Sequence, residues 1–208
     1  MTAFPCRAAT QPVRFLPGAP QMLGNGWSRM DELAYRIRAA EPDDLAAVRN
    51  TIKVSLAHPE GRGRGTSLRT ALQRNELLLL ERYDAREKDW VVGGFVEFHM
   101  RVDDTLTLRD LGTIGDSPHA GVAKHLIGEL FSQLSPVSAT AVVRRDAEAW
   151  NEILASIPGF AVDGPPEYRH PHYYNIWKWS PELARQAQRG GRQRGGPPRR
   201  GPGPGRRR

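Results

Sequence analysis

The sequence predicts an α/β domain with a mixed central sheet flanked by helices, in the order β-α-α-β-β-β-α-β-α-β-β. Two observations predict it. Alternating, β-branched runs take turns with segments whose apolar residues recur at helical spacing, all between residues 33 and 180. Helices then lie on both faces of the sheet and cover it. The sharpest signal is a strand, tight loop and helix from Thr105 to Leu134: Thr105–Ile114 alternates, Gly115, Asp116, Ser117 and Pro118 break the run, and Val122, Leu126, Ile127, Leu130, Phe131 and Leu134 form one stripe.

Tyr35–Ala39 reads as the first strand. Pro42, Asp43 and Asp44 open the first helix, proline suiting its first turn and the acids its dipole. Leu45, Val48, Ile52 and Leu56 mark its apolar stripe, which predicts a helix running to His58-Pro59. Gly61–Gly65 is a loop and Ser67–Asn75 a short helix. Leu77–Tyr83 and Trp90–Arg101 are strands around the charged turn Asp84–Asp89. After the helix ending at Leu134 come a strand at Ala139–Val143 and a helix over Asp146–Ile157, whose inward residues are Ala147, Trp150, Ile153, Leu154 and Ile157. Phe160–Val162 and the aromatic-rich Tyr173–Trp179 are the last strands.

The ends differ from the middle. Residues 1–32 carry prolines, glycines and no acid before Asp31, which reads as a flexible leader, with Met30 an alternative start; Pro5, Pro12, Pro17 and Pro20 argue against an amphipathic transit helix. Residues 181–208 read as a disordered tail rich in arginine, glycine and proline. The net charge of +7 belongs to that tail: residues 185–208 hold nine arginines and no acid, leaving 21 basic against 23 acidic residues elsewhere. Such a tail suits nucleic acid or an acidic surface, or serves as a solubilising extension. A lone cysteine, Cys6, fits a reducing cytoplasm, and no apolar run approaches the roughly 20 residues of a membrane span.

The junction at Gly121 carries the first chemical signal. A helix N-terminus offers unpaired N–H groups and partial positive charge, and small residues such as Ala120, Gly121 and Ala123 allow a phosphate to approach. The element order, led by Ile37-Arg38-Ala39-Ala40-Glu41-Pro42-Asp43-Asp44-Leu45, resembles the GNAT superfamily of acyl-CoA-dependent N-acetyltransferases from Tyr35 to Trp179. In that family the fourth strand and the helix after it cradle the CoA pyrophosphate through the pattern Arg/Gln-x-x-Gly-x-Gly/Ala. The matching window is Pro118-His119-Ala120-Gly121-Val122-Ala123, with Pro118 in place of Arg/Gln. The resemblance therefore implies acetyl-CoA or another acyl-CoA as co-substrate, held by His119, Ala120, Gly121, Val122, Ala123 and Lys124. A second local match, Arg62-Gly63-Arg64-Gly65-Thr66-Ser67, follows a helical segment and reads as the loop between the first two helices; its arginines meet an acidic group or stay in solvent.

The family's closing Gly-Phe is Gly159-Phe160, and Asp146 lies near the position of its asparagine. Its tyrosine position falls among Ile153, Leu154 and Ala155, none of which can donate a proton, so a general acid must lie elsewhere. Acyl transfer to an amine needs a base, because an alkylamine near pKa ~10.4 is protonated at neutral pH. It also needs a donor for the carbonyl oxygen, such as an N–H on a bulged strand. Asp110 is read on one face with Leu106, Leu108, Gly112 and Ile114, where a carboxylate needs explaining. Glu97 and His99 share a face with Phe95, and either act there, lie exposed at the surface, or form structural salt bridges, with Arg101 or Arg109 as partners. Among Tyr168, Tyr173 and Tyr174, Tyr173 is the candidate acid; Trp177 and Trp179 read as packing. The catalytic candidates are thus Asp110, Glu97 and Tyr173. His170-Pro171-His172 is too short for a metal site, and none is expected.

The expected activity is transfer of an acyl group from acyl-CoA to an amine, on a small molecule, a protein N-terminus or a lysine, in a monomer or a homodimer. The alternatives are a GNAT fold that binds without catalysing, and a nucleic-acid-associated protein that uses its arginine-rich tail.

Overall fold

The computed structural model describes residues 35–61 and 67–193. The leader, Arg62 and Arg64, and the tail from residue 194 lie outside the described residues. The strands are β1 (Tyr35–Ala39), β2 (Leu77–Asp84), β3 (Asp89–Met100), β4 (Thr105–Thr113), β5 (Ser138–Arg144), β6 (Phe160–Val162), β7 (Glu167–Arg169) and β8 (His172–Trp179). The helices are α1 (Asp44–Thr51), α2 (Ser67–Gln73), α3 (Ala120–Leu134), α4 (Glu148–Ala155) and α5 (Pro181–Gln193). The sheet runs β1-β2-β3-β4-β5-β8-β6, with β7 also paired to β8. Among the described strands only β4 and β5 pair in parallel, and α3 is the crossover between them.

Each face of the sheet has its own core. Val48, Ile52, Leu68, Ala71, Leu77, Leu79 and Phe95 pack under α1 and α2. Leu78, Leu80, Val96, Leu106 and Leu108 pack with the buried stripes of α3 and α4 on the other face. The alternation Leu77, Leu79 against Leu78, Leu80 along β2 divides one strand between the two cores. Close approach of α3 to β3 depends on Gly94, where a Cβ would lie 2.6 Å from Val122 Cγ1.

The predicted order holds through β8, with four corrections. β7 escapes a periodicity reading because it has 3 residues, all exposed. Helix α4 is shorter than Asp146–Ile157, starting at Glu148 and ending at Ala155. Helix α5 occupies the start of the segment read as tail: Ser180 Oγ accepts the Leu183 N–H at 3.3 Å, and Pro181 fills the first turn. Helix α1 stops at Thr51 instead of His58, because Ile52 turns extended (φ −102°, ψ 114°).

An ion-pair network fastens α1 to the edge of the sheet. Glu81, 4% exposed, accepts from Arg36 Nε and from Arg38 at 2.7 Å and 3.1 Å, and Arg38 grips Asp44 with two bonds of 2.7 Å and 2.8 Å. Burial pushes the carboxyls of Asp44 and Glu81 up, but Arg38 and Arg36, with the Glu41 N–H on Asp44, together outweigh it and hold both below the usual carboxylate range. A depressed folded-state pKa stabilises the fold above the unfolded value and loses that contribution as pH falls through the folded one. Glu81→Gln is therefore expected to cost about 2–3 kcal/mol at pH 7 by urea unfolding. The deficit relative to the parent chain should shrink as pH falls from about 5 to about 2; a deficit that is constant over that range refutes the assignment.

Candidate functional site

Strands β4 and β5 part company. Their pairing runs from Thr105↔Ser138 to Leu108↔Ala141 and ends there, although β4 continues to Thr113 and β5 to Arg144. The parting coincides with a bulge. On the β3–β4 ladder Glu97 pairs with Asp110 and Phe98 with Leu108, so Arg109 is the extra residue on β4. A bulge bends its strand and re-aims the side chains beyond it. Leu106, Leu108 and Leu111 consequently all enter the α3–α4 core. Asp110 faces the opposite side with Gly112, whose Cβ would meet Phe95 and Ile52. The expectation that Asp110 shares a face with Leu106 and Leu108 assumed unbroken alternation, and the bulge overturns it.

The vacated edge of β4 is occupied by the chain leaving α1. Ile114 N–H donates to Gly93 O on β3 at 2.9 Å, so by alternation the polar groups of Leu111 and Thr113 point to the edge that β5 has left. There Leu56 N–H donates to Leu111 O at 2.8 Å, and Ser55 and Ile52 form bridges with Gly112 and Gly115. Ile52 is buried in the α1–α2 core but Leu56 in the α3–α4 core, so this segment passes through the gap between the strands.

Asp110 pins it. Its carboxylate is 2% exposed and accepts from Ser55 Oγ, Ala57 N–H and Leu111 N–H, each at 2.9 Å. Burial pushes its pKa up; the three donors and nearby His58 pull the other way without cancelling it. Glu97, 4% exposed, stands opposite Asp110 in register on β3. The structure thus brings Asp110 and Glu97 together. His99 pairs through Nδ1 with Glu76 Oε1, and Arg109 Nη1 lies 3.9 Å from Glu76 Oε2, so both side chains meet Glu76. Tyr173 is apart from this group, on β8, where its carbonyl accepts from Arg145 N–H at 2.8 Å. Its ring is 54% exposed and lies 5.1 Å from that of Tyr168.

At the mouth of the gap lies a cleft of about 230 Å³, walled by Val54 and Pro59, by Asp116, Ser117 and Pro118, and by Asp146, Ala147, Glu148, Ala149 and Trp150. Asp110, Glu97 and Tyr173 do not line it. Sequence reasoning missed the groups that brace it. Arg144 bonds Asp146 and, at 2.8 Å, Glu60, spanning from β5 to the segment on β4. The Arg144 bond holds the Asp146 carboxyl below its ordinary range. Asn151 donates to Arg144 O at 2.8 Å and Ala147 O at 2.9 Å, and accepts from Asn175 Nδ2 and Trp177 Nε1, both at 2.9 Å. Trp150 is 2% exposed, and its indole N–H has no partner among the described residues. A helical stripe announces Trp150 as core; nothing in the sequence announces Asn151 as a hub.

Beside the cleft, the first turn of α3 is only partly open. His119 caps it, its Nδ1 accepting from Val122 N–H at 3.3 Å, while its own N–H donates to Thr113 Oγ1 at 2.8 Å. Ala123 N–H goes to His119 O at 3.1 Å. The N–H groups of Ala120 and Gly121 remain without an acceptor among the described residues. Val122 and Ala123 are core side chains, Lys124 is half-buried, and Ala120 is exposed. A phosphate group fits there through two backbone donors, small side chains and the dipole of a 15-residue helix.

No family model matches the chain, and no curated protein matches it in sequence. Solved structures match in fold. A GNAT-family acetyltransferase from Bacillus cereus superimposes at TM-score 0.55 and 13% identity, over 70% of this chain and 96% of that one. The ribosomal-protein-S18-alanine N-acetyltransferase from Escherichia coli gives 0.53 at 17% identity, over 70% and 92%. The NatC complex bound to Gag peptide and CoA gives 0.55 at 10% identity, over 72% and 98%. This chain has the GNAT fold. Among its described residues no helix is long and apolar enough to cross a membrane.

Within this GNAT fold the cost of burying Asp110 is testable. A raised folded-state pKa favours the protonated fold, so that contribution is present at low pH and is lost as pH rises through the folded value. Asp110→Asn removes the charge and keeps the shape. Its melting temperature relative to the parent chain is expected to rise from pH 4 to pH 8; a pH-independent difference contradicts the burial argument.

Proposed function

We propose that this chain transfers an acyl group from an acyl-CoA donor to an amine. The observation that carries the reading is the parting of β4 and β5 directly below the small-residue N-terminus of α3. Ala120 and Gly121 would hold the pyrophosphate through their N–H groups, with Lys124 adding positive charge on the same turn. Acyl-CoA supplies the activated acyl group as a thioester.

Asp110 takes the amine proton in this reading. Its burial raises its basicity, the direction a general base needs, and Glu97 stands opposite it in register. Tyr173, on β8 at the end where β5 finishes, is assigned to return a proton to the leaving thiolate. The rim carboxylates Asp116 and Glu148 favour a cationic acceptor. The arginine-rich segment from residue 185 is assigned to an acidic partner.

A second reading, a GNAT fold that binds without catalysing, is favoured by one observation: all donors around Asp110 belong to the protein itself and close it off from the cleft. Titration calorimetry tests the donor site. Acetyl-CoA is expected to bind the parent chain, and Gly121→Asp, which adds a charge favourable to the helix but repulsive to phosphate, is expected to weaken it at least about tenfold without lowering the melting temperature. Absence of binding at millimolar acetyl-CoA refutes the reading. Binding with no thiol release across a panel of primary amines favours the second.

A further inference from the structure

We propose that Ser55–Ala57 is a self-seated strap, occupying the gap between β4 and β5 that an acyl-CoA arm needs, and that donor binding displaces it. The inference rests on the acyl-CoA reading. It starts from a coincidence of positions. Beyond Leu108 the edge of β4 is free of β5, and an open strand edge pairs with any extended chain that carries amides. The pantetheine arm of CoA is such a chain, with two amides in line. Running from the N-terminus of α3 into the gap, it meets the polar groups of Leu111 and Thr113. The protein's own backbone is already there: Leu56 N–H is on Leu111 O at 2.8 Å, and Ser55 is bridged to Gly112.

The side chains fill the rest. Leu56, 1% exposed, reaches through the gap into the α3–α4 core, so the space between the strands is plugged as well as the edge. The strap is held at both banks of the gap. On the β4 side Asp110 accepts from Ser55 Oγ and Ala57 N–H, both at 2.9 Å. On the β5 side Arg144 Nη1 holds Glu60 Oε1 at 2.8 Å. Release therefore does two things together. It opens the β4 edge, and it strips Asp110 of two of its three donors, leaving a carboxylate with free lone pairs facing the gap. The closed strap and a working base are mutually exclusive states of one residue.

The test compares acetyl-CoA with 3′-phosphoadenosine 5′-diphosphate, which keeps the pyrophosphate and lacks the arm. Ser55→Ala combined with Glu60→Ala loosens both anchors and leaves Asp110 itself unsubstituted, with the Ala57 and Leu111 N–H groups still on it. This variant is expected to bind acetyl-CoA about tenfold tighter than the parent chain and the arm-less ligand equally well. In the parent chain, hydrogen exchange at the amides of Leu56 and Ala57 is expected to quicken about tenfold on saturation with acetyl-CoA and to stay unchanged with the arm-less ligand. That second measurement decides the matter even if the double variant fails to fold. Acetyl-CoA binding with those amides as protected as before, or a folded variant that gains nothing, overturns the strap while leaving the donor site intact. Binding of neither ligand to either protein overturns the acyl-CoA reading and the strap together.

Discussion

One extra residue on β4 governs the site. Arg109 has no partner on β3, and from that point the strand turns its polar edge and its side chains to new neighbours. Without the bulge, Asp110 would follow Leu106 and Leu108 into the α3–α4 core, where no donor from the α1–α2 loop could reach it. With it, Leu111 takes the core position and Asp110 turns to the face of Ser55. The same bend ends the pairing with β5 after Leu108. The gap, the buried carboxylate and the segment lodged between the strands are thus consequences of a single register shift.

The two strands stay apart because the walls of the gap are built separately. The β4 wall is tied to β3 through Thr113 and Gly94, and Gly112 lets Phe95 and Ile52 close over the strand where any side chain would collide. The β5 wall is tied to β8 from Ala139 to Arg144, and Asn151 locks the turn after β5 to Asn175 and Trp177. The contact across the mouth is charged: Arg144 reaches Glu60, whose side chain is 67% exposed. Exposed pairs of this kind contribute little and reorganise readily, so the firm part of each wall lies on its own side of the gap.

The sequence shows most of the fold, since the strands from β1 to β5 and the stripe of α3 are patterned by burial on one or both faces. It misleads where a pattern continues past its element. Leu45, Val48, Ile52 and Leu56 keep helical spacing, yet Ile52 and Leu56 serve opposite cores, an arrangement that periodicity cannot distinguish from one longer helix. The bulge is equally silent, because Arg109 between Leu108 and Asp110 looks like ordinary alternation. Asp110 stands out in sequence as a carboxylate among apolar residues, and its burial bears out that it needs partners; which partners depends on a segment more than fifty residues upstream. Gly159 shows the reverse case. Its φ of +97° and the Trp179 indole, 2.6 Å from where a Cβ would sit, explain the Gly-Phe step by packing alone, with no proton donor at the end of α4.

The energetics of the lodged segment set how far it controls the gap. Each hydrogen bond exchanged between protein and water nets about 1 kcal/mol, and bonds to a charged acceptor about 1.5–3 kcal/mol. The segment has one backbone bond to Leu111 and two bonds to Asp110. Against these stand the burial of the Asp110 charge, which its raised pKa records as unfavourable, and the entropy of holding a short loop straight. Leu56 adds the burial of a whole side chain to the closed side, so closure prevails while the edge of β4 is otherwise empty. A ligand with two amides and a pyrophosphate shifts that balance only by the contacts it makes in the open state alone.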